Sequence, residues 1–107
     1  MYRPLPKKLR LGFSDIHDIG ILAKEHIPQG TNFGMTHLQF GENIIRTPLG
    51  GFLNHSDKPN CEKVKLRFTS SDEEAPYFFS KWNLITLKNI KEGEELTLTY
   101  TFYKIND

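Results

Sequence analysis

The sequence is poor in cysteine: Cys61 is the only one among 107 residues. A lone thiol forbids internal disulfides and any zinc site built from several cysteines. Long apolar runs are missing as well. Nothing approaches the ~20 residues of a membrane-spanning helix, and the start, Met1 to Lys8, lacks the apolar stretch of a signal peptide. Charge of one sign is also absent. Fourteen Lys and Arg against thirteen Asp and Glu leave a formal +1, whereas a dedicated nucleic-acid binder usually carries a strongly basic domain. These absences lead us to expect a soluble, cytoplasmic protein with no membrane partner and no direct nucleic-acid partner, although a local basic patch stays open. No window of eleven or more residues repeats apolar side chains at the 3.6-residue helical period, so few helices are expected.

What is present is enough to fold. With 37% hydrophobic and 12% aromatic residues, one domain spanning residues 1–107 can bury a core. Alternation at period two recurs in Leu9, Leu11 and Phe13, in Val64, Leu66 and Phe68, and in Leu96, Leu98, Tyr100 and Phe102, each predicting a strand with one face inward. Further strands are expected at residues 82–87, 20–23 and 43–45. Turns at Pro28-Gln29-Gly30, Pro48-Leu49-Gly50-Gly51, Asp57-Lys58-Pro59-Asn60 and Lys91-Glu92-Gly93-Glu94 separate them. The polar, acidic stretch Thr69 to Pro76 is expected to be an exposed, mobile loop. The fold class is therefore mostly β.

Residue chemistry alone favours ordinary roles. His17, His26, His37 and His55 show no metal-ligand spacing, so no metal site is expected. Cys61 beside a strand reads as a small buried residue before it reads as a nucleophile. Lys63, Lys65 and Arg67 form a basic stripe that suits phosphate contacts, and equally suits the solvated face of a half-buried strand. The segment Asn54-His55-Ser56, followed by Pro59-Asn60, reads by residue type as a capped turn.

In combination, three segments say more. Asn54-His55-Ser56 with Pro59-Asn60 resembles the Asn-His-Ser-x-x-Pro-Asn hallmark of SET-domain protein lysine methyltransferases. Downstream, residues 90–100, with Gly93-Glu94-Glu95-Leu96 leading to Tyr100, are similar to the family's closing motif and its active-site tyrosine. Upstream, residues 14–23 followed by Ile27-Pro28-Gln29-Gly30 are similar to its first motif. The resemblance spans residues 11–103 and is nearest to the compact, single-domain members known from viruses, which would put the protein inside a host cell. It differs from many members in carrying Asp18 for the first glycine of the cofactor turn, Gly51 for an arginine, and Thr99 for an aspartate.

The resemblance implies a SET-domain (β-clip) fold of several small curled sheets with a C-terminal pseudoknot, and no flanking pre-SET or post-SET zinc region. It implies transfer of a methyl group from S-adenosyl-L-methionine to the ε-amine of a lysine in a protein or peptide. Ile19, Gly20, Ile21, Asn54 and His55 would bind the cofactor, with glycine at position 20 allowing a close approach of backbone to ligand. Tyr100 would be catalytic, and Phe102, Tyr103 and Trp82 would line the lysine channel. With no post-SET tail expected, either the last aromatics of the chain or a second subunit of a homodimer would close the cofactor and lysine sites. The alternative is a non-catalytic SET-like module that binds cofactor or peptide; a third reading is an interaction protein using the basic stripe.

Overall fold

The computed structural model of the chain describes residues 5–69 and 78–99. Among them run eight strands: β1 (Leu9–Phe13), β2 (Ile19–Ala23), β3 (Asn32–Phe40), β4 (Asn43–Arg46), β5 (Asn54–His55), β6 (Cys61–Thr69), β7 (Phe78–Thr86) and β8 (Glu95–Leu98). A single helical turn, α1 (Pro48–Gly51), precedes β5. The acidic stretch expected as a loop lies, beyond Thr69, outside the described residues.

Two four-stranded sheets form, in the orders β1-β2-β8-β5 and β4-β3-β7-β6. Every pairing is antiparallel except that of β5 with β8, which runs parallel and sets Asn54 against Thr97 and His55 against Leu98. Strand β8, the last one described, therefore lies between β2 near the start of the chain and β5 at its middle. These small sheets agree with the fold that the resemblance implies, and the mostly-β expectation holds.

The core fills the space between the sheets. Ile21, Ile27, Leu84, Ile90 and Leu96 are completely buried, and Leu9, Leu49, Leu53, Cys61 and Leu98 pack with them. Each such Leu or Ile contributes roughly 1.5–3 kcal/mol through removal from water. Alternation overstated the inward row of β1. Leu9 is buried, but Leu11 is exposed and Phe13 is 93% exposed, because β1 is the sheet edge and its far end extends past the core. On β6 likewise, Leu66 and Phe68 stay more than a third exposed. They occupy the outer face of the second sheet, where Phe68 stacks on Phe79 at 4.9 Å.

The nine-residue β3 escaped the period-two pattern. Its register shifts against β7 between Asn32 and Gly34 and again between Met35 and His37. Such bulges break the in-out alternation and leave the polar pair Thr36 and His37 buried. Strand β3 also anchors α1. The Thr47 hydroxyl accepts from Gly50 N at 3.3 Å and donates to the Met35 carbonyl at 2.8 Å, with Pro48 opening the turn. A Cβ on Gly50 would fall 2.5 Å from the Thr36 carbonyl oxygen, so only glycine lets this turn lie against the strand. That contact fixes where the chain enters residues 51–55.

Candidate functional site

The loop from residue 14 to residue 18 joins β1 to β2 and is organised by one hydroxyl. Ser14 Oγ accepts from the backbone N–H groups of Ile16 and His17 at 2.9 and 3.1 Å, while Ser14 N donates to the Asp18 carbonyl at 3.0 Å. Serine makes such local bonds readily, which is why it starts turns. Asp18 closes the loop with φ of 38°. This is left-handed backbone, which Asp tolerates better than most side chains and which glycine, the residue at that place in many members of the resembled family, adopts freely.

Asn54 ties this loop to the rest. Its Nδ2 lies 3.2 Å from the carbonyls of His17 and Ile19, 3.1 Å from Ser14 Oγ and 2.8 Å from Glu95 Oε2. Ser14 in turn donates to Glu95 Oε1 at 2.6 Å. Both oxygens of one carboxylate thus hold the two polar side chains that shape the loop. Asn60 does a similar task nearby. Its Nδ2 donates to the Glu95 carbonyl at 2.8 Å and its Oδ1 accepts from Thr97 N at 2.8 Å, so the side chain pairs with β8 as a neighbouring strand would. The parallel pair is extended by Ser56 N donating to the Leu98 carbonyl and the Thr99 hydroxyl donating to the Ser56 carbonyl, at 3.0 and 2.9 Å.

Between the loop and the segment after α1 lies an open groove of about 740 Å³. One wall is Ile16 to Ile19 and the other is Gly51 to His55. Ile16, Ile19 and Phe52 remain 50%, 46% and 40% exposed there, giving the groove apolar walls open to solvent. Asp18 is the one carboxylate among the described lining residues, and His17 Nδ1 sits 3.4 Å from it. His55 Nε2 lies 3.1 Å from Asp57. Asn54 Oδ1 accepts no hydrogen bond among the described residues, and it is not a buried unpaired atom, so it keeps contact with solvent.

Of the residues expected to bind a cofactor, Ile19, Asn54 and His55 line the groove. Gly20 and Ile21 do not. Ile21 is fully buried, its backbone held between Leu11 of β1 and Leu96 of β8. Gly20 is required for a different reason from the one its motif suggested: a Cβ there would collide with Glu95 Oε2 and lie 3.1 Å from Asn54 Nδ2. The missing side chain makes room for the clamp. Trp82 does not reach the groove either. It is buried on β7 in the second sheet, edge-on to His37 and beneath Lys65 Nζ. Tyr100, Phe102 and Tyr103 lie outside the described residues. Ser14, Asn60 and Glu95 were quoted as parts of motifs, but their roles required the tertiary contacts to appear. Cys61 is buried and its thiol is pushed up to about 12 by desolvation, which leaves no nucleophile. Among the described residues no three His, Cys, Asp or Glu side chains converge on a metal position.

The SET domain family model matches residues 36–101. No curated protein sequence matches the chain. Among solved structures, the crystal structure of a Plasmodium falciparum protein described as a candidate histone methyltransferase superimposes with a TM-score of 0.65 at 17% identity. The match covers 90% of this chain and 95% of that one, which at such low identity speaks for a shared fold. The family match takes in more than half of the chain, including α1, the Asn54 segment and β8. The chain therefore belongs to the SET-domain family.

Proposed function

We propose that the protein transfers a methyl group from S-adenosyl-L-methionine to the ε-amine of a lysine in a protein substrate. Family membership and the fold of the Plasmodium neighbour support methyl transfer in general, and that neighbour's description supports a protein as the acceptor. The observation that carries the cofactor assignment is the Asn54 clamp. One amide nitrogen gathers the carbonyls of His17 and Ile19, so the groove walls built by two separate motifs are fixed relative to each other.

The groove suits this cofactor. Its volume lies in the ~300–1,000 Å³ range of small-molecule sites. Its acceptors, the Asp18 carboxylate beside His17 and Asn54 Oδ1, match a ligand bearing an ammonium group and a second positive centre. Ile16, Ile19 and Phe52 offer apolar surface for the aromatic base. When bound, S-adenosylmethionine supplies a methyl group on a positively charged sulfur, open to attack by a neutral amine. A free lysine has a pKa near 10.4, so its neutral form at pH 7 costs about 4.6 kcal/mol. The protein's part is to provide apolar surroundings that disfavour the ammonium, which reduces that cost. It must also hold the nitrogen lone pair in line, a task we assign to the Tyr100 hydroxyl. The last described residue before it, Thr99, is bonded to the Ser56 carbonyl, so the chain leading to Tyr100 is secured beside the Asn54 segment.

Calorimetric titration with S-adenosylmethionine, paired with a labelled-methyl assay on lysine peptides, tests this. One-site binding is expected, weakened in His55→Ala and Asp18→Asn and retained in Tyr100→Phe, with transfer reduced at least 100-fold in Tyr100→Phe. Absence of binding at millimolar cofactor would overturn the proposal. Binding without transfer to any lysine peptide would replace it with the non-catalytic module.

A further inference from the structure

The two sides of the second sheet differ in what they meet. Lys63, Lys65 and Arg67 share the side of Cys61, Trp82 and Leu84, which faces the core and carries α1 against His37. The other side is open. There the register brings Met35 and Phe40 of β3, Ile45 of β4, and Leu66 and Phe68 of β6 onto one face, and each is 37% to 56% exposed. Together with the partly buried apolar neighbours between them, they present on the order of 500–600 Å² of apolar surface, the upper end of what monomers leave uncovered. Two charged residues stand on this face within its strands, Lys81 and Glu62. Lys81 lies opposite Leu66, four residues along β6 from Glu62, which puts the two about 14 Å apart and out of reach of each other. Lys81 Nζ rests over the Phe68 ring, and neither charge makes an ion pair among the described residues. Midway between them, Asn83 is opposed to Val64. Asn83 is only 7% exposed, and its Oδ1 is buried without a hydrogen-bond partner among the described residues.

We propose that this face is the interface of a homodimer, in which a second copy of the chain packs its own outer face here about a two-fold axis. In such a contact each patch must complement itself. The placement of the two charges meets that condition: a two-fold lying between the stacked sheets and crossing the Val64–Asn83 pair sets Lys81 of each copy opposite Glu62 of the other. Two ion pairs then close around an apolar centre. The same axis brings the two Asn83 side chains together, where each amide offers donors to an acceptor that the single chain leaves unpaired. A partner of different sequence gives no reason for opposite charges at equal distances from the central pair. The area agrees, since the apolar surface with Lys81, Glu62 and Asn43 around it comes near the ~800 Å² that each partner of a standard interface buries. With a formal +1 on each chain, the copies carry little charge to keep them apart. The groove is lined by residues 16–19 and 51–55, on the side of this sheet where α1 packs, so the pairing leaves both grooves open. This dimer is not a lid, and it does not depend on methyl transfer.

The test is sedimentation velocity of the full chain from about 1 to 200 μM, without S-adenosylmethionine, so its outcome is separate from that of the cofactor titration. Association that saturates at two copies is expected. Leu66→Glu, at an exposed site, should raise the dimer Kd at least 30-fold while circular dichroism shows the same strand content. Lys81→Glu and Glu62→Lys each set like charges opposite one another and should each raise Kd at least 10-fold. The double variant K81E/E62K restores opposite charges across the axis and should return to within threefold of the parent. The control Lys88→Glu, at an exposed lysine outside this sheet, should stay within threefold. A monomer at 200 μM, growth beyond two copies, a dimer unchanged by Leu66→Glu, or a double variant as weak as its two parents would each overturn the proposal.

Discussion

Replacing Gly20 by alanine tests the clamp most directly. The added Cβ would overlap Glu95 Oε2 and press on Asn54 Nδ2. A carboxylate at the end of a flexible side chain can swing away, so the cost is set by what it must release. Those are the bonds to Ser14 at 2.6 Å and to Asn54 at 2.8 Å. Hydrogen bonds to a charged group contribute about 1.5–3 kcal/mol each. Discounting for the partly solvated position of Glu95, and for the roughly 0.5–1 kcal/mol that alanine gains over glycine in chain entropy, the net loss is about 2–3 kcal/mol. At about 4–8 °C per kcal/mol for a domain of this size, the thermal midpoint should fall by about 10–20 °C. Urea unfolding and a calorimetric scan measure this. The Glu95→Ala background supplies the decisive comparison: with the carboxylate gone, Gly20→Ala should cost less than about 1 kcal/mol, a coupling of 1.5–2 kcal/mol. An unchanged penalty in that background would refute the reasoning, because the collision would then be with something other than Glu95.

Two further outcomes follow from buried titratable groups. The pKa of His37 lies near 4, below its ordinary 6.5, so the unfolded chain takes up its proton first as pH falls. Its share of stability is complete above pH 6.5 and is lost between pH 6.5 and 4. Allowing for partial contact with solvent, urea unfolding at pH 4.5 should show about 2 kcal/mol less stability than at pH 7 from this source, and His37→Gln should remove that part of the difference; an equal loss in the variant would exclude His37 as its origin. Cys61, with its thiol raised to about 12, should react with a disulfide reagent at pH 8 only as fast as the fold opens. Rapid stoichiometric labelling under native conditions would contradict its burial.

How far the sequence disclosed this molecule depends on the kind of interaction that decides each feature. Strands β1, β2, β4, β6, β7 and β8 follow from short-range alternation and β-branched composition, and the turns between them from Pro, Gly, Asn and Asp. Strand β3 did not follow, because its two bulges are set by pairing with β7 and leave no period in the sequence. The groove residues Ile19, Asn54 and His55 were legible through motif resemblance. Gly20 was legible as a glycine but not for its reason, since its neighbour Glu95 is 75 residues away. Trp82 enters the second sheet and not the groove, and an aromatic residue at an alternating position carries no mark of which sheet it enters. The apolar outer face was half visible. Val64, Leu66 and Phe68 share one strand, but Phe40 and Ile45 join them only through the register of three strand pairs.

The geometry of Asn54 changes what its motif means physically. An amide nitrogen has two hydrogens, and here four acceptors crowd it, so the whole donor capacity of the side chain is spent on protein groups. What remains for a ligand is the oxygen. The same residue therefore closes the fold and offers an acceptor to the groove, and any substitution at Asn54 damages both at once. Ser14 and Glu95 are separable from the ligand, since neither lines the groove, yet both fix the loop that forms its wall. Cofactor affinity in this small domain thus rests on a polar network behind the groove as much as on the surface that a ligand touches. The fold supplies that network by inserting β8, which carries Glu95, between the two segments that it joins.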